Sequence, residues 1–332
     1  MFPEDLISAA NGASSRETTS TQLPATRFVP PEPVEVELRP PAKRLWLHGL
    51  LLVLTLFTTT LVGAHMQYNF AHNLPMFDLE RWGSIFTVGL ESPGRFLTGL
   101  PFSLTLLTIL MAHELGHYIA CVYYGLDATL PYFLPAPTPV TGTFGAFIRI
   151  RSPIRTKRAL FDVGIAGPLA GFIFLVPALG VGLAFSKVLP GINHQGSIQL
   201  GAPTLQWLAE RLIFPGVSSS DIYLHPVARA AWVGMFATAL NLLPAGQLDG
   251  GHIVYALLGR SQKVITNIFL VALVPMGKFW TGWWLWAVML FLFARKHPPL
   301  YDHSEIGESR VKLGIVALCV FALCFSVAPI NE

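Results

Sequence analysis

Pro101-Phe-Ser-Leu-Thr-Leu-Leu-Thr-Ile-Leu-Met-Ala-His113-Glu114-Leu-Gly-His117-Tyr-Ile-Ala-Cys-Val-Tyr-Tyr-Gly125 is an apolar stretch with three ionisable side chains set into one turn of its second half. A hydrocarbon core about 30 Å thick takes roughly 20 residues of helix, and this stretch has the length to cross it. At 1.5 Å per residue His113 lies about 18 Å beyond Pro101, well inside the bilayer. Ionisable groups at such depth cost at least about 2.5–3.5 kcal/mol each unless paired or hydrated. A satisfied polar cluster between helices is a poor explanation for three of them on one turn. On a helix, positions i and i+4 share a face, so the two imidazoles can reach a single ion. Glu114 stands beside them, where it can take a proton from the ion's water.

The rest of the chain has the same character. Of 332 residues, 52% are hydrophobic and 12% charged, about half the charged share of a soluble domain. The net charge of +3 is too small to suggest a nucleic-acid partner. Cys121, Cys319 and Cys324 all fall inside apolar runs without metal or disulfide spacing, so they read as small packing residues.

Segments of spanning length and apolarity are expected at Leu45–Met66, Pro101–Gly125, Leu160–Phe185, Val227–Leu243, Val264–Met276, Phe279–Ala294 and Val311–Ile330. The fold class is therefore an all-α polytopic membrane protein with six to seven transmembrane helices, the short fifth being optional. Residues 1–44, rich in Pro, Ser, Thr and Glu, read as a disordered cytoplasmic tail, and 45–330 as the transmembrane domain. With the N-terminus inside, 16 of the 22 Lys and Arg fall on inner segments, which sets the orientation. The N-terminal segment looks like neither a signal peptide nor a transit peptide. The expected location is a cell inner membrane, multi-pass, in preference to a plastid membrane. Trp280, Trp283, Trp284 and Trp286 read either as interfacial anchors or as packing of the last helices.

A catalytic zinc keeps three protein ligands and one position for water, so two histidines need a third partner. The run Asn241-Leu-Leu-Pro-Ala-Gly-Gln-Leu-Asp249-Gly-Gly-His252 offers it. The fourth span runs inward, bringing this run to a depth compatible with the two histidines. Its Pro and Gly residues break the helix, and irregular backbone at membrane depth is tolerated only around a protein-lined cavity. Asp249 is the first candidate, with His252 and Asp162 as alternatives. Asn241, about two turns earlier, reads either as a donor to a developing oxyanion or as a polar helix contact.

Tyr132–Ile150, with its Pro and Gly content, reads as extended. Gly164, Gly167 and Gly171 lie on or near one helix face and read as a packing stripe without a chemical role. In the outer segment, Leu205–Ile213 reads as an amphipathic stretch, with His194 and His225 solvated.

The His-Glu-x-x-His on a membrane helix, followed far downstream by Asn-x-x-Pro and Leu-Asp-Gly, resembles the site-2 protease family of intramembrane metalloproteases. Gly142-Thr-Phe-Gly145, Phe161-Asp-Val-Gly-Ile-Ala-Gly-Pro-Leu-Ala-Gly171 and His297-Pro-Pro-Leu-Tyr-Asp302 are similar to runs of its bacterial and plastid members. The likeness covers about residues 97–302 in matching order. It implies one zinc ion per chain held by His113, His117 and Asp249, Glu114 as the base, and proteolysis within the membrane. It also implies a membrane-associated β-hairpin after the metal-binding helix, whose edge is suited to an unwound substrate. The substrates implied are membrane-anchored proteins such as anti-sigma factors or signal-peptide remnants, with the lipid bilayer as the other partner. Many members insert a peptide-binding PDZ module, for which no segment here is long enough. A metal transporter would also carry intramembrane His and Asp. However, a Glu between the histidines fits hydrolysis better, and no second acidic relay crosses other spans.

Overall fold

The computed structural model describes residues 45–77, 83, 87, 92–136, 138–194, 198–293, 300, 302 and 304–331. The N-terminal tail of the sequence reading lies outside the described residues, as does most of the His297–Asp302 run.

Helices dominate. In chain order they are α1 (Leu45–His72), the short α2 (Pro93–Leu97), α3 (Leu100–Tyr123), α4 (Lys157–Ala184), α5 (Thr204–Ile213), α6 (Pro226–Asn241), α7 (Asp249–Leu258), α8 (Gln262–Met276), α9 (Gly282–Phe293) and α10 (Glu308–Cys324). Three two-stranded antiparallel ribbons accompany them. In chain order the strands are β1 (Tyr132–Pro135), β2 (Thr143–Phe147), β3 (Lys187–Val188), β4 (Gln199–Leu200), β5 (Ile222–Tyr223) and β6 (Ile330–Asn331). They pair as β1–β2, β3–β5 and β4–β6.

Among the described residues, four helical stretches are long and apolar enough to cross a membrane: Leu45–His72, Pro93–Tyr123, Lys157–Ala184 and Asp249–Met276. The expected six or seven are matched at this length by four only, because the others are shorter helices. Three of the expected spans form helices of 16, 12 and 17 residues, namely α6, α9 and α10. At 1.5 Å per residue α6 is about 24 Å long, short of the hydrocarbon thickness. The glycines at the start of α7, read as breakers, are themselves helical, so α7 and α8 join through one 3₁₀ turn and the expected short fifth span lies inside the longer Asp249–Met276 run.

α3, α4 and α6 form the centre. Phe102 and Leu106 of α3, Leu175 and Leu183 of α4, and Trp232 and Met235 of α6 are all at most 1% exposed. α1 packs beside α3, where Thr59 Oγ1 and Ser103 Oγ share a buried 2.5 Å hydrogen bond. Paired hydroxyls of this kind tie helices together where no water is available to satisfy them. Trp283 is 1% exposed and donates its indole N–H to Val327 O, while Trp284 is half exposed, so this tryptophan group divides between packing and surface. Cys121 and Cys324 are buried and Cys319 is exposed.

The extended segment after α3 forms the expected hairpin. β1 pairs with β2 in the register Tyr132↔Phe147, Phe133↔Ala146 and Leu134↔Gly145, with an irregularity before Pro135↔Thr143. The hairpin docks on α1 through Thr58 Oγ1, which donates to Gly142 O at 2.7 Å, and His48 Nδ1, 3.1 Å from Pro131 O.

Candidate active site

His113, Glu114 and His117 sit on one face of α3, each at most 7% exposed. The two imidazole rings are 4.9 Å apart between centroids, as i, i+4 spacing requires. Asp249 arrives from 132 residues further on than His117. Its Oδ2 lies 3.2 Å from His113 Nε2 and 3.3 Å from His117 Nε2. Two ligand atoms held tetrahedrally about 2.0 Å from one centre stand about 3.3 Å apart, so these separations suit a shared ion.

Local chain chemistry explains how Asp249 gets there. α6 ends at Asn241, and the chain turns through Leu243–Leu248 in consecutive tight bonds, Ala245 N–H to Leu243 O at 2.7 Å and Leu248 N–H to Ala245 O at 3.1 Å. Gly246 adopts φ +50°, which disfavours a side chain. A Cβ on Gly250 would lie 2.0 Å from Leu242 O, so the new helix starts against the end of the old one only because that position is glycine. Asp249 becomes the first residue of α7, aimed back at α3.

The glycine stripe of α4 seats the other side of the site. A Cβ on Gly167 would come within 2.1 Å of His117 Nε2, one on Gly171 within 3.2 Å of His113 Cβ, and one on Gly164 within 3.2 Å of Asp249 O. These glycines serve close packing, as expected, and what they pack against is the site itself. On the same helix Val163 O accepts the His117 Nδ1 hydrogen at 2.7 Å. That bond orients the ring and leaves Nε2 with its lone pair toward Asp249, the usual support for a metal-binding histidine.

Asn241 is brought to the cluster, with Nδ2 3.1 Å from His113 Nε2. His252, the first alternative ligand, lines the same cavity one turn past Asp249. Asp162, the second alternative, is drawn away. It accepts from Arg310 Nε at 2.8 Å and Nη2 at 2.7 Å, and from Tyr124 Oη. Arg310, on α10, is a contributor that no local sequence pattern singles out.

The cavity holds about 230 Å³ and is walled by α3, by Ala146, Phe147 and Ile148 on and beyond β2, and by Asn241, Leu248 and Asp249. Two imidazole nitrogens and one carboxylate oxygen, all within 4.8 Å of one another, form the group of His, Cys, Asp and Glu suited to a metal ion among the described residues. One negative charge with two neutral nitrogens fits a borderline-soft dication such as zinc and leaves the fourth position for water.

The sequence profile of peptidase family M50 matches residues 101–279, a range that holds all of these residues. The chain is 30% identical over 300 residues to the probable zinc metalloprotease EGY1, chloroplastic, of Arabidopsis thaliana, covering 84% of this chain and 53% of that protein. Against EGY1 of Oryza sativa subsp. japonica the identity is 30% over 245 residues, covering 70% and 41%. The probable zinc metalloprotease EGY2, chloroplastic, of Arabidopsis thaliana is 30% identical over 234 residues, covering 66% and 40%. The chain spans about half the length, or less, of these relatives.

Their location corrects one expectation. The relatives are chloroplastic, which points away from a cell inner membrane and toward a plastid one. The asymmetry of basic residues orients a protein across a membrane but carries no information on which membrane it is.

Proposed function

The chain belongs to peptidase family M50, and from that premise we propose that it is a zinc metalloendopeptidase acting inside the membrane on membrane-anchored proteins, at bonds within or near their transmembrane helices. The observation that carries this reading is the meeting of His113, His117 and Asp249 around one point, with Glu114 on the same helical turn.

In this reading His113 Nε2, His117 Nε2 and an Asp249 carboxylate oxygen hold the zinc. Bound zinc supplies Lewis acidity, polarising a carbonyl and lowering the pKa of water toward about 7. Glu114, 6% exposed, takes the water proton on a carboxylate oxygen and returns it to the leaving amine nitrogen. With His113 Nε2 given to the metal, the Asn241 amide is free to donate to the oxyanion that develops on the substrate carbonyl. Ala146 and Phe147 belong to β2, the only partner of β1 among the described residues, and they face the cavity. A substrate segment added along that edge would be held extended with its backbone satisfied. Extension matters because a helical peptide bond is shielded by its own turn.

The site lies in a transmembrane domain of residues 45–330, with a core at about 97–302 and a tail at 1–44. α6, α9 and α10 add to the four long helices to give the six or seven spans of the sequence reading. The chloroplastic relatives support a plastid membrane as its place.

Zinc quantification on the purified full chain, paired with cleavage of a co-expressed single-span membrane protein, tests the proposal. Glu114→Gln retains zinc and abolishes cleavage. Unchanged cleavage by this variant defeats the reading.

A further inference from the structure

At the end of the helices away from the α3–α4 connection, the segment between α4 and α6 folds over a second cavity of about 130 Å³. Its walls carry buried polar groups from two elements. Arg229, in the first turns of α6, is 4% exposed. No hydrogen bond or ion pair reaches its guanidinium among the described residues. Its Nε is unsatisfied, and its guanidinium stands over the Phe77 ring, 5.2 Å from the centroid. A guanidinium buried without a counter-charge costs several kcal/mol.

The opposite chemistry stands on α5. Gln206 and Glu210 are 3% and 2% exposed. Gln206 Nε2 donates to Glu210 Oε1 at 2.7 Å, and Ser219 Oγ donates to Glu210 Oε2 at 2.5 Å. Each Glu210 oxygen thus accepts a hydrogen bond, the pattern of an ionised carboxylate, although burial pushes its pKa up. Gln206 Oε1 is left as a buried acceptor without a donor. The cavity therefore presents an unpaired cation on one element, and an unpaired acceptor beside a carboxylate on another.

We propose that this cavity binds a small zwitterion of the amino-acid class, its carboxylate on Arg229 and its ammonium on Gln206 Oε1 beside Glu210. Both unmet groups are satisfied by one such ligand. A simple anion would leave Gln206 Oε1 unpaired and meet the field of Glu210, and a simple cation would leave Arg229 unpaired. A volume close to that of a benzene-sized cavity admits a ligand with the bulk of glycine or alanine more readily than one with a large side chain. The site is independent of the metal centre and of the peptidase reading.

The test uses the full chain in detergent, with thermal unfolding followed in titrations of glycine, L-alanine, sodium acetate, methylamine and L-tryptophan. Glycine and L-alanine are expected to raise Tm saturably. Acetate and methylamine, each matching one end only, should require at least about tenfold higher concentration, and L-tryptophan should give no shift. Arg229→Gln and Glu210→Gln should each abolish the glycine response. If either variant fails to fold, the ligand series on the unaltered chain decides. Absence of a saturable glycine or alanine shift overturns the proposal. So does acetate acting as well as glycine, which would make this a plain anion site, and so does a glycine response unchanged in a folded Arg229→Gln.

Discussion

Gly167 lies so close to the imidazole of His117 that a single added methyl group would overlap the ring, at 2.1 Å from Nε2 and 2.5 Å from two ring carbons. The ring's other nitrogen, Nδ1, is held by Val163 O, one turn before Gly167 on the same helix. The ring has no room to withdraw without breaking that bond. Gly167→Ala is therefore expected to lower zinc affinity by about 10- to 100-fold, the usual effect of disturbing a ligand's support. Competition with a chromophoric chelator measures it. An unchanged affinity would show that the ring has space the structure does not give it.

Gly250 controls the position of Asp249. A Cβ there meets Leu242 O at 2.0 Å and Leu243 O at 2.6 Å, both backbone atoms that cannot step aside. Gly250→Ala should cost about 1–3 kcal/mol, as overpacking does. Because relief requires α7 to move off the end of α6, Asp249 moves with it. The variant is expected to lose zinc under conditions where Asn241→Ala keeps it. Unfolding in detergent and metal content, read on the same sample, separate the two effects.

Asn241 touches the cluster at 3.1 Å from His113 Nε2 without belonging to the group suited to metal. Asn241→Ala should leave zinc content intact and lower kcat by about 10²–10³-fold, the range for removing one oxyanion donor. KM for a membrane substrate should change less. Loss of zinc in this variant would instead make the residue a support for His113.

His225 makes stability depend on pH. Expected from sequence to be solvated, it is instead half-buried at the N-terminus of α6, where its Nδ1 accepts the Val227 N–H at 3.2 Å. Burial, and then the nearby Lys187, lower its pKa from the ordinary 6.5. The unfolded chain thus takes up a proton at this residue before the folded one does. Stability from this group is complete above pH 6.5 and declines as the pH falls through that value toward the lowered one. His225→Asn keeps an acceptor at the cap and removes the titration. Thermal unfolding between pH 5.5 and 7.5 should show a shallower slope for the variant than for the parent.

Much of the site could be read from local pattern. The i, i+4 histidines place themselves on one helix face whatever surrounds them, and the Pro and Gly content of residues 132–150 signals extended backbone. Three features escaped. The stripe Gly164, Gly167 and Gly171 announces close packing, but its counterpart is a ring some 50 residues upstream. Asp162 carries the same carboxylate as Asp249, and only the position of Arg310 on α10 removes it from contention. The helices α6, α9 and α10 are 16, 12 and 17 residues long, and apolarity along the chain marks such segments without giving their helical length.

Sequence by itself determined that the chain lives in a membrane, that two histidines and a glutamate share one turn of a buried helix, and that an Asp within a glycine-rich break was the leading third ligand. These follow from residue type and spacing along one segment, where helical geometry is the only physics needed. Tertiary structure alone decided that Asp249 and not Asp162 meets the histidines, that the glycines of α4 are the seat of the imidazoles, and that Arg229 is buried without a counter-charge among the described residues. Those outcomes depend on which backbones can approach one another within a few ångströms, and such distances are set only when separate helices pack.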